Sequence, residues 1–390
     1  MKKYKYTILS IFALIVLISL SVIFFSNLKR NTNKDNIDKD KEIKKEEIKE
    51  PVIEETELSM IMVGDCLIHG AIYDDARNKQ TGEYNFYKMI DLMKPIISKY
   101  DLAFYNQESI LGGTSLGLSS YPRFNAPQEV GDAFIDAGFN MVSLANNHSL
   151  DKGEQGILSS LDYWKKKENV MTSGSYRSFE ERDKDVIFEK NGITYSLLSY
   201  TTTTNGLNRP KGKEYLVNVY DKEQVKKDVE RLRDKVDLLI VSMHWGEEYT
   251  HTPTNEQIEI ANYLASLNVD IVVGHHPHVL QPIDFIGKTV IIYSLGNFIA
   301  SQYGVEKLTG LMVSLTVNKT TTDGISTVSL SNVNAELSYV YSIKDSYRHS
   351  YRLYPYEELN DKLLSGYKTY YDKFMSIVTS KSDKISYKPI

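Results

Sequence analysis

The segment from residue 237 to residue 298 places the strongest constraint on the fold. It contains two apolar, β-branched runs, DLLIVSMH starting at Asp237 and VDIVVGHHPH starting at Val269. Between these runs, Thr254 and Gln257 fit a helix-capping box, and apolar residues then recur at helical spacing. The segment is therefore predicted to form a β-α-β unit with two parallel strands. In open α/β sheets, ligands bind at the carboxyl ends of such strands.

Side chains of the types that bind metals follow predicted strands throughout the chain. A single histidine after a strand is more often a hydrogen-bonded structural residue, but five strand ends with such residues favour one shared site. Their carboxylate, imidazole and amide groups suit Mn, Zn, Fe or Mg. Two such ions about 3.5–4 Å apart, bridged by one carboxylate, would polarise a substrate oxygen. The residues at the five strand ends are Asp65, Glu108, Asn147 with His148, His244, and His276 with His278.

The first 30 residues predict a membrane anchor. Residues 1–5 are basic, and the stretch from Tyr6 to Leu28 carries no charge, which is enough for the roughly 20 apolar residues that span a bilayer. The alternatives are a buried helix and a cleaved signal peptide, for which no clear small-x-small site is present. We expect a single-pass signal anchor that places the globular part on the extracytoplasmic face of the cell membrane.

Residues 31–57 are mostly charged or polar and lack the apolar side chains that a core needs, so they are expected to be a flexible tether. Residues 1–30 carry a net charge of +5 and residues 31–57 carry −4, which leaves −6 for the globular part of a chain whose total is −5. A mildly acidic domain lacks the basic surface that binds nucleic acid, which argues against that class of partner. The single cysteine, Cys66, excludes an intrachain disulfide and is expected to be a core thiol.

The globular domain is predicted to cover residues 58–340. Residues 186–200 predict a hairpin that turns at Asn191-Gly192, and two alternating runs near the end of the domain predict antiparallel strands separated by a Thr-Asp-Gly turn. Residues 341–390 are rich in Tyr, Lys and Asp. We expect them to form a separate C-terminal extension that is largely helical.

Six motifs in a fixed order resemble the CapA family of capsule synthesis proteins: GDCLIHG, NQES, LANNHSLDKGEQG, SMHWGEEY, VVGHHPHVLQP and YSLGNF. The resemblance covers roughly residues 57–300. The CapA family is associated with poly-γ-glutamate capsule production and belongs to the calcineurin-like metallophosphoesterase superfamily. The resemblance implies an α/β fold with two facing mixed sheets and helices on both outer faces. This is a four-layer α/β/β/α sandwich with the site at the strand ends, preceded here by one transmembrane helix.

The superfamily pattern also implies roles for individual residues. Asp65 matches the aspartate ligand of the first strand, although the usual Asp-x-His becomes Asp-x-x-x-His here, with His69 in the second position. Glu108 stands at the position of the bridging aspartate and is one methylene longer. His275 competes for a ligand position because Gly274 directly precedes it. The remaining matches are Asn147 and His244 as ligands, His276 and His278 as the closing histidine pair, and His148 as the residue that protonates a leaving group.

Four further residues have open assignments. Asp151 either orients His148 through a hydrogen bond or caps the following helix. Arg209 could hold an anionic substrate, but exposed arginines are common on protein surfaces. Glu248 either contacts substrate, as a base, or lies on the exposed surface. Asn297 either faces the site or belongs to a structural turn.

Three functional hypotheses follow. The first is a membrane-anchored, CapA-like component of poly-γ-glutamate capsule synthesis or export, which uses two divalent cations and works with other membrane subunits of a polymer synthase. Its substrate would be an anionic polymer. The second is an extracytoplasmic metal-dependent phosphoesterase that acts on nucleotides or envelope phosphates. The third is a non-enzymatic assembly subunit, in which metal only stabilises the fold and His148 is dispensable.

Overall fold

The computed structural model describes residues 52–345, 348–388 and 390. The predicted anchor over residues 6–28 lies outside these residues, and so does most of the predicted tether. Within the described residues, no helix combines the length and the apolar character needed to cross a membrane.

The described chain contains alternating strands and helices, followed by a long antiparallel region. The strands are β1 Ile53–Cys66, β2 Leu102–Asn106, β3 Met141–Ser143, β4 Met171–Ser173, β5 Phe188–Lys190, β6 Ile193–Thr201, β7 Leu238–His244, β8 Ile271–His275, β9 Ile283–Ile286, β10 Thr289–Ile292, β11 Asn297–Ile299, β12 Thr309–Thr322, β13 Ile325–Asp345 and β14 Arg348–Pro355. The α-helices are α1 Gly70–Ala76, α2 Tyr87–Ile90, α3 Lys94–Ile97, α4 Glu129–Asp136, α5 Gly153–Trp164, α6 Phe179–Asp183, α7 Lys222–Arg233, α8 Asn255–Ser266, α9 Val305–Leu308 and α10 Tyr367–Val378.

These strands form two mixed sheets, which confirms the predicted α/β class. The eight-stranded sheet has the order β14-β13-β12-β1-β2-β3-β4, with β11 paired to β1. The strands β1 to β4 are parallel, whereas β12, β13 and β14 are antiparallel to their neighbours. The six-stranded sheet has the order β5-β6-β7-β8-β10-β9, with parallel strands in its centre and antiparallel strands at both edges.

The β-α-β unit that was predicted first is confirmed. Strands β7 and β8 are parallel, and their last residues, His244 and His275, lie opposite each other. Helix α8 connects them and begins with the expected capping box, in which Thr254 and Gln257 exchange side-chain and backbone hydrogen bonds. The predicted hairpin is also present, because Asn191 and Gly192 both have positive φ and join antiparallel β5 and β6.

Each sheet buries apolar residues on both of its faces. In β1, Met60 and Met62 belong to a core that also contains Ile240 and Val273 of the six-stranded sheet, so this core lies between the sheets. On the opposite face of β1, Ile61 and its neighbours pack against helices α4 and α5. A third core joins β7 and β8 to helices α7 and α8. Helices therefore cover both outer faces, and the parallel strands read as continuous apolar runs because both of their faces are buried.

The domain boundaries differ from the predicted ones at both ends. Strand β1 begins at Ile53, because residues 53–57 pair with β12, although their polar composition had indicated a tether. The predicted boundary at residue 340 falls inside β13, and β14 continues the same sheet. Helix α10 also belongs to the domain, since its apolar residues join the core between the sheets. The Tyr-rich composition hid this because tyrosine rings supply much of that packing.

The chain passes from one sheet to the other between β10 and β11. Strand β10 lies in the six-stranded sheet, whereas β11 pairs with β1 in the other sheet. The crossing segment packs tightly on β1, where the Asp65 amide donates to the Gly296 carbonyl at 2.9 Å. A Cβ atom on Gly64 would lie 1.9 Å from the same oxygen, so only glycine fits there. This crossing brings the carboxyl ends of both sheets to one place.

Candidate metal centre

Strand ends from both sheets meet at one buried cluster. Asp65 is the next-to-last residue of β1, and Glu108 lies two residues after β2. His244 ends β7, and His276 and His278 follow β8 directly. All five side chains are buried: three are fully inaccessible, and the most exposed, His276, has only 7% of its surface exposed.

The cluster contains two sets of three candidate ligands. The ligand atoms of Glu108, His244 and His276 lie within 4.8 Å of one another, and so do those of Asp65, Glu108 and His278. Glu108 belongs to both sets. Carboxylate and imidazole ligands of this number and spacing suit two divalent cations that share one carboxylate.

The hydrogen bonding of Glu108 tests whether cations fit the cluster. Both carboxylate oxygens of Glu108 are buried and have no hydrogen-bond partner among the described residues. The nearest imidazole nitrogens, on His244 and His278, lie 3.6 and 3.8 Å from its Oε1 atom, beyond hydrogen-bond distance. A buried carboxylate without a partner is strongly unfavourable. Cations between these atoms would remove that cost, so the residues present fit the group.

The backbone around the histidine pair is strained. His276 and His278 have φ values of 97° and 57°, in the left-handed region that residues with a Cβ atom rarely adopt. Strain of this kind costs about 1–3 kcal/mol per residue and is found mainly at functional sites. Here the strained backbone directs the imidazoles of His276 and His278, only two positions apart, towards the two different sets of ligands.

Electrostatics keep two of the histidines neutral. Burial, followed by the charge of His276, lowers the pKa of His244 well below its usual range. Burial and the charge of His278 lower the pKa of His276 to about 4. A neutral imidazole has a free lone pair, which is the form that binds a metal.

The pKa values of the two carboxylates and of His278 shift in different directions according to their neighbours. Burial disfavours the charged form of His278, but the charge of Glu108 and the hydrogen bond to Asp65 outweigh this and raise its pKa to about 9. Burial alone would raise the pKa of Asp65, yet the imidazoles of His275 and His278 lower it well below its usual range. Burial raises the pKa of Glu108 well above its usual range, and His278 offsets this only in part.

Amide side chains surround the first set of ligands. Asn147 Oδ1 lies 3.0 Å from His244 Nε2, and His276 Nδ1 lies 3.1 Å from the same nitrogen. The predicted amide ligand is therefore beside the first set. Asn106 Nδ2 donates to Asp65 Oδ1 at 2.8 Å and lies 3.3 Å from His244 Nδ1, so this residue connects the two sheets.

His148 and Asp151 form a dyad beside the cluster. His148 Nδ1 lies 2.7 Å from Asp151 Oδ2, and both side chains are buried. The same carboxylate oxygen accepts a hydrogen bond of 2.5 Å from the Phe124 amide, and the Phe124 ring packs edge-on against the His148 ring. Of the two assignments for Asp151, the structure supports the one that orients His148: Asp151 forms no side-chain cap on α5.

Three other sequence candidates occupy different environments. His275 Nδ1 lies 3.2 Å from Asp65 Oδ1, but His275 belongs to neither set of ligands. His69 also belongs to neither set, and its Nδ1 lies 3.0 Å from the Leu67 carbonyl oxygen. Glu248 is exposed, yet its charge acts on His276 and His278, which places it at the rim of the cluster.

The substrate roles predicted for Arg209 and Asn297 do not agree with their surroundings. Arg209 donates to the backbone carbonyls of Glu214 and Val217 and lines a separate cleft of about 600 Å³ that contains none of the candidate ligands. Asn297 is fully buried, and its amide is already engaged by protein groups, including a 2.9 Å contact between its Oδ1 and His278 Nδ1. Asn297 therefore orients His278 rather than contacting substrate.

Sequence reasoning missed two residues of the cluster. Asn106 ends β2, and its side chain connects Asp65 and His244. Asn146 was overlooked beside Asn147, yet its Nδ2 donates to the Gln107 carbonyl and its Oδ1 accepts from the His148 amide. Paired amides next to two strand ends, in YNQES and LANNH, were the signal that could have identified them.

The fold and cluster define a class: an α/β sandwich with a candidate dinuclear metal centre of carboxylates and imidazoles at its strand ends. Residues 59–302 match the family described as "Bacterial capsule synthesis protein PGA_cap", which is more than half of the chain. This chain belongs to that family, and the resemblance inferred from its motifs is confirmed.

Individual relatives agree with this membership. The chain is 34% identical over 168 residues to the PGA biosynthesis protein CapA of Bacillus subtilis. The matched region covers 43% of this chain and 44% of the relative. It is 29% identical over 255 residues to the capsule biosynthesis protein CapA of Bacillus anthracis, which covers 64% of this chain and 61% of the relative. The matches thus span less than two thirds of either relative.

Among solved structures, the chain is similar to a putative 5'-nucleotidase from Staphylococcus aureus, with 16% identity and a TM-score of 0.45 over 81% of this chain and 58% of the other. It is also similar to the calcineurin-like phosphoesterase YfkN from Bacillus subtilis, with 13% identity and a TM-score of 0.41 over 71% of this chain and 91% of the other.

Proposed function

We propose that this chain is an extracytoplasmic, membrane-anchored component of poly-γ-glutamate capsule synthesis or export that acts on an anionic substrate at a site with two divalent cations. Family membership supports the capsule role, and the names of the two Bacillus relatives, a PGA biosynthesis protein and a capsule biosynthesis protein, agree with it. The apolar stretch from Tyr6 to Leu28 supports the anchor, with the charged residues after it as part of a tether. Partner subunits of a membrane polymer synthase belong to the same proposal.

One observation carries the chemical part of the proposal: Glu108 belongs to both sets of ligands, and neither of its buried oxygens has a hydrogen-bond partner within the described residues. His244, His276 and Glu108 would hold one cation, and Asp65, His278 and Glu108 would hold the other. Asn147 lies in position to add an amide oxygen to the first. Bound divalent cations supply Lewis acidity to a substrate oxygen and favour deprotonation of water.

The dyad beside the cluster supplies a proton donor. Asp151 accepts a hydrogen bond from His148 Nδ1 and orients the ring, so that the protonated imidazole can give its Nε2 proton to a leaving group. The Phe124 ring packs against His148 and holds its orientation. Glu248, at the rim, is placed to influence an approaching substrate through its charge.

The dyad also favours a second candidate function, an extracytoplasmic phosphoesterase without a capsule role. A positioned histidine acid next to two cations serves phosphoester hydrolysis as well as γ-glutamyl transfer or hydrolysis. The two candidates differ in the substrate that is consumed.

Turnover measurements on the full-length chain test the proposal. With Mn²⁺ added, we expect hydrolysis either of a γ-linked glutamate oligomer or of p-nitrophenyl phosphate. The variant His148→Ala should lower kcat by about 100-fold or more, within the usual contribution of a general acid, while its metal content stays unchanged. His251→Gln is the matched control, because His251 belongs to neither set of ligands. Failure of the wild-type chain to convert either substrate with two cations bound would contradict the enzymatic proposal and favour an assembly subunit.

A further inference from the structure

A lysine near the candidate metal centre is linked to it through a hydrogen bond of its backbone. Lys307, in helix α9, has its carbonyl oxygen 2.9 Å from Asn297 Nδ2, which donates to it. The other end of the same amide, Asn297 Oδ1, lies 2.9 Å from His278 Nδ1. Only one buried side chain therefore separates the Lys307 backbone from a candidate ligand.

The Lys307 side chain is also held in place. Its Nζ atom lies 4.6 Å from the centre of the Tyr249 ring, within the range of a cation–π contact. The Tyr249 ring lies 6.1 Å from the His278 ring. Tyr249 has a φ of 65°, in the left-handed region, and its amide donates to the Pro277 carbonyl at 2.7 Å. A strained backbone and a short hydrogen bond thus fix the main chain of Tyr249, whose half-exposed ring lies near both the lysine and His278.

Lys307 lacks the ion pairs of its neighbours. Lys373 pairs with Glu306 at 3.0 Å, and Lys381 lies 3.6 Å from Asp284. Among the residues that the structure describes, no carboxylate lies within ion-pair distance of Lys307, although its side chain is half-buried. The Tyr249 side chain that Lys307 contacts also hydrogen-bonds to Glu248. A cation that is positioned but not neutralised is suited to an anionic ligand.

We propose that Lys307, held over Tyr249, binds an oxyanion of the substrate next to the reacting group. This rests on the proposed function, because it assigns the substrate-binding cation of that site. The oxyanion is either a carboxylate of a γ-linked glutamate chain or a phosphate. An acidic domain needs a local cation to hold a polyanion. Arg209, the cation expected from the sequence, lies in a separate cleft, whereas Lys307 is linked to His278 through Asn297.

In a His148→Ala background, which slows turnover, calorimetric titration of the full-length, Mn²⁺-loaded chain tests the assignment with two probes. They are tri-γ-glutamate for the carboxylate and phenylphosphonate for the phosphate. Lys307→Met should weaken binding of at least one probe by about tenfold or more, the effect of losing one charged hydrogen bond. Lys307→Arg should retain most of the affinity. The probe that is affected identifies the source of the oxyanion.

Lys222→Met is the matched control. Lys222 Nζ also lies 4.6 Å from a tyrosine ring, that of Tyr263, on the outer helix layer. We expect this variant to bind both probes like the wild type. Measured metal content confirms that Lys307→Met leaves the ligands intact.

Two results would overturn the assignment: wild-type affinity of Lys307→Met for both probes, or no binding of either probe by the wild-type chain. Failure of the proposed catalysis has a different signature. In that case the wild-type chain converts no substrate, yet the affinity for a probe still depends on Lys307.

Discussion

The two sheets contribute different chemistry to the same site. The eight-stranded sheet supplies acids and amides, with Asp65 near the end of β1 and Glu108 after β2. The six-stranded sheet supplies imidazoles, with His244 ending β7 and His276 and His278 following β8. Each set of three ligands takes residues from both sheets. Neither sheet alone can hold a cation in the proposed way, so the site exists only when the sheets pack together.

The different residues that the two sheets supply also explain the charge states of the histidines. Imidazoles facing buried carboxylates from the other sheet respond according to their neighbours: His278 gains a proton, whereas His244 and His276 remain neutral. Two bound cations would displace the proton from His278 and would give the buried Glu108 oxygens the partners that they lack. The carboxylate sheet therefore provides the negative charge that attracts the ions, and the histidine sheet provides neutral ligands that complete their coordination.

Single-ligand variants give the largest expected effect. Because the two sets share only Glu108, His276→Ala should lose one cation and Asp65→Asn should lose the other. Each should lower the affinity of its own position by more than about 100-fold, above the range for removing an outer hydrogen-bond partner. Elemental analysis should then give one ion per chain in each variant. Loss of both ions from either variant would show that the two positions are not separable, and Glu248→Gln serves as a rim control that keeps both ions.

Glycine variants test whether both sheets need the same close packing. Gly64 lies in β1 and Gly274 in β8, and an added Cβ atom would approach the carbonyl oxygens of Gly296 and Tyr293 to 1.9 and 2.0 Å. Backbone oxygens cannot move aside as a flexible side chain can. Gly64→Ala and Gly274→Ala should each lower the free energy of unfolding of the metal-free protein by about 3 kcal/mol or more.

Urea denaturation measures this loss. Gly70→Ala is the control, because its nearest contact, Tyr73 Oη, would lie at an ordinary 3.4 Å. If only one of the two strand variants loses stability, the sheets do not depend equally on the segment between β10 and β11.

Asn297, the first residue of β11 in the eight-stranded sheet, should have a smaller effect than the ligands themselves. Asn297→Ala removes the amide that faces His278 Nδ1 at 2.9 Å, so the imidazole loses its orientation but remains present. We expect the affinity for one cation to fall about 10- to 100-fold, with the other position unaffected. Titration with a fluorescent competitor for Zn²⁺ measures both affinities. An unchanged affinity would mean that the backbone strain alone holds His278.

The smallest expected effect is the change in cation affinity per unit of pH. The pKa of His278 is raised to about 9 in the metal-free protein, so a cation must displace its proton at neutral pH. Affinity should rise about tenfold per pH unit from pH 7 and level off above about pH 9.

The same group affects stability with the opposite sign. The pKa of His278 in the folded protein exceeds its value in the unfolded chain. The protonated histidine therefore stabilises the metal-free protein fully below about pH 6.5, and this stabilisation is lost as the pH rises through about 9. Proton release on Mn²⁺ binding, measured in buffers of different ionisation enthalpy, tests both statements. Uptake of metal at pH 7 without proton release would contradict them.

Much of this site could be predicted from the sequence because it uses local patterns. Apolar runs that end in Asp65, Glu108 or His244 identify both the strands and the polar residues at their carboxyl ends. The capping box of α8 and the turn at Asn191-Gly192 depend on neighbouring residues only. These features need no knowledge of distant contacts.

The features that the sequence did not reveal depend on contacts between the sheets. The role of Asn297 arises because the chain changes sheets just before it, and no local pattern marks that crossing. Arg209 was selected by its charge, but packing turns it towards the Glu214 and Val217 carbonyls. Lys307 has an ordinary sequence context, and only its contacts with Tyr249 and Asn297 distinguish it.

The central claim is that Glu108 joins two cations where the sheets meet. Elemental analysis of the full-length chain, purified with Mn²⁺ and compared with Glu108→Gln and with the control His251→Gln, tests it most directly. We predict two ions per chain in the wild type and in the control, and none in Glu108→Gln, although that variant stays folded because the amide has nearly the same shape. A folded wild-type chain without bound ions, or a Glu108→Gln variant that keeps two, would contradict the claim.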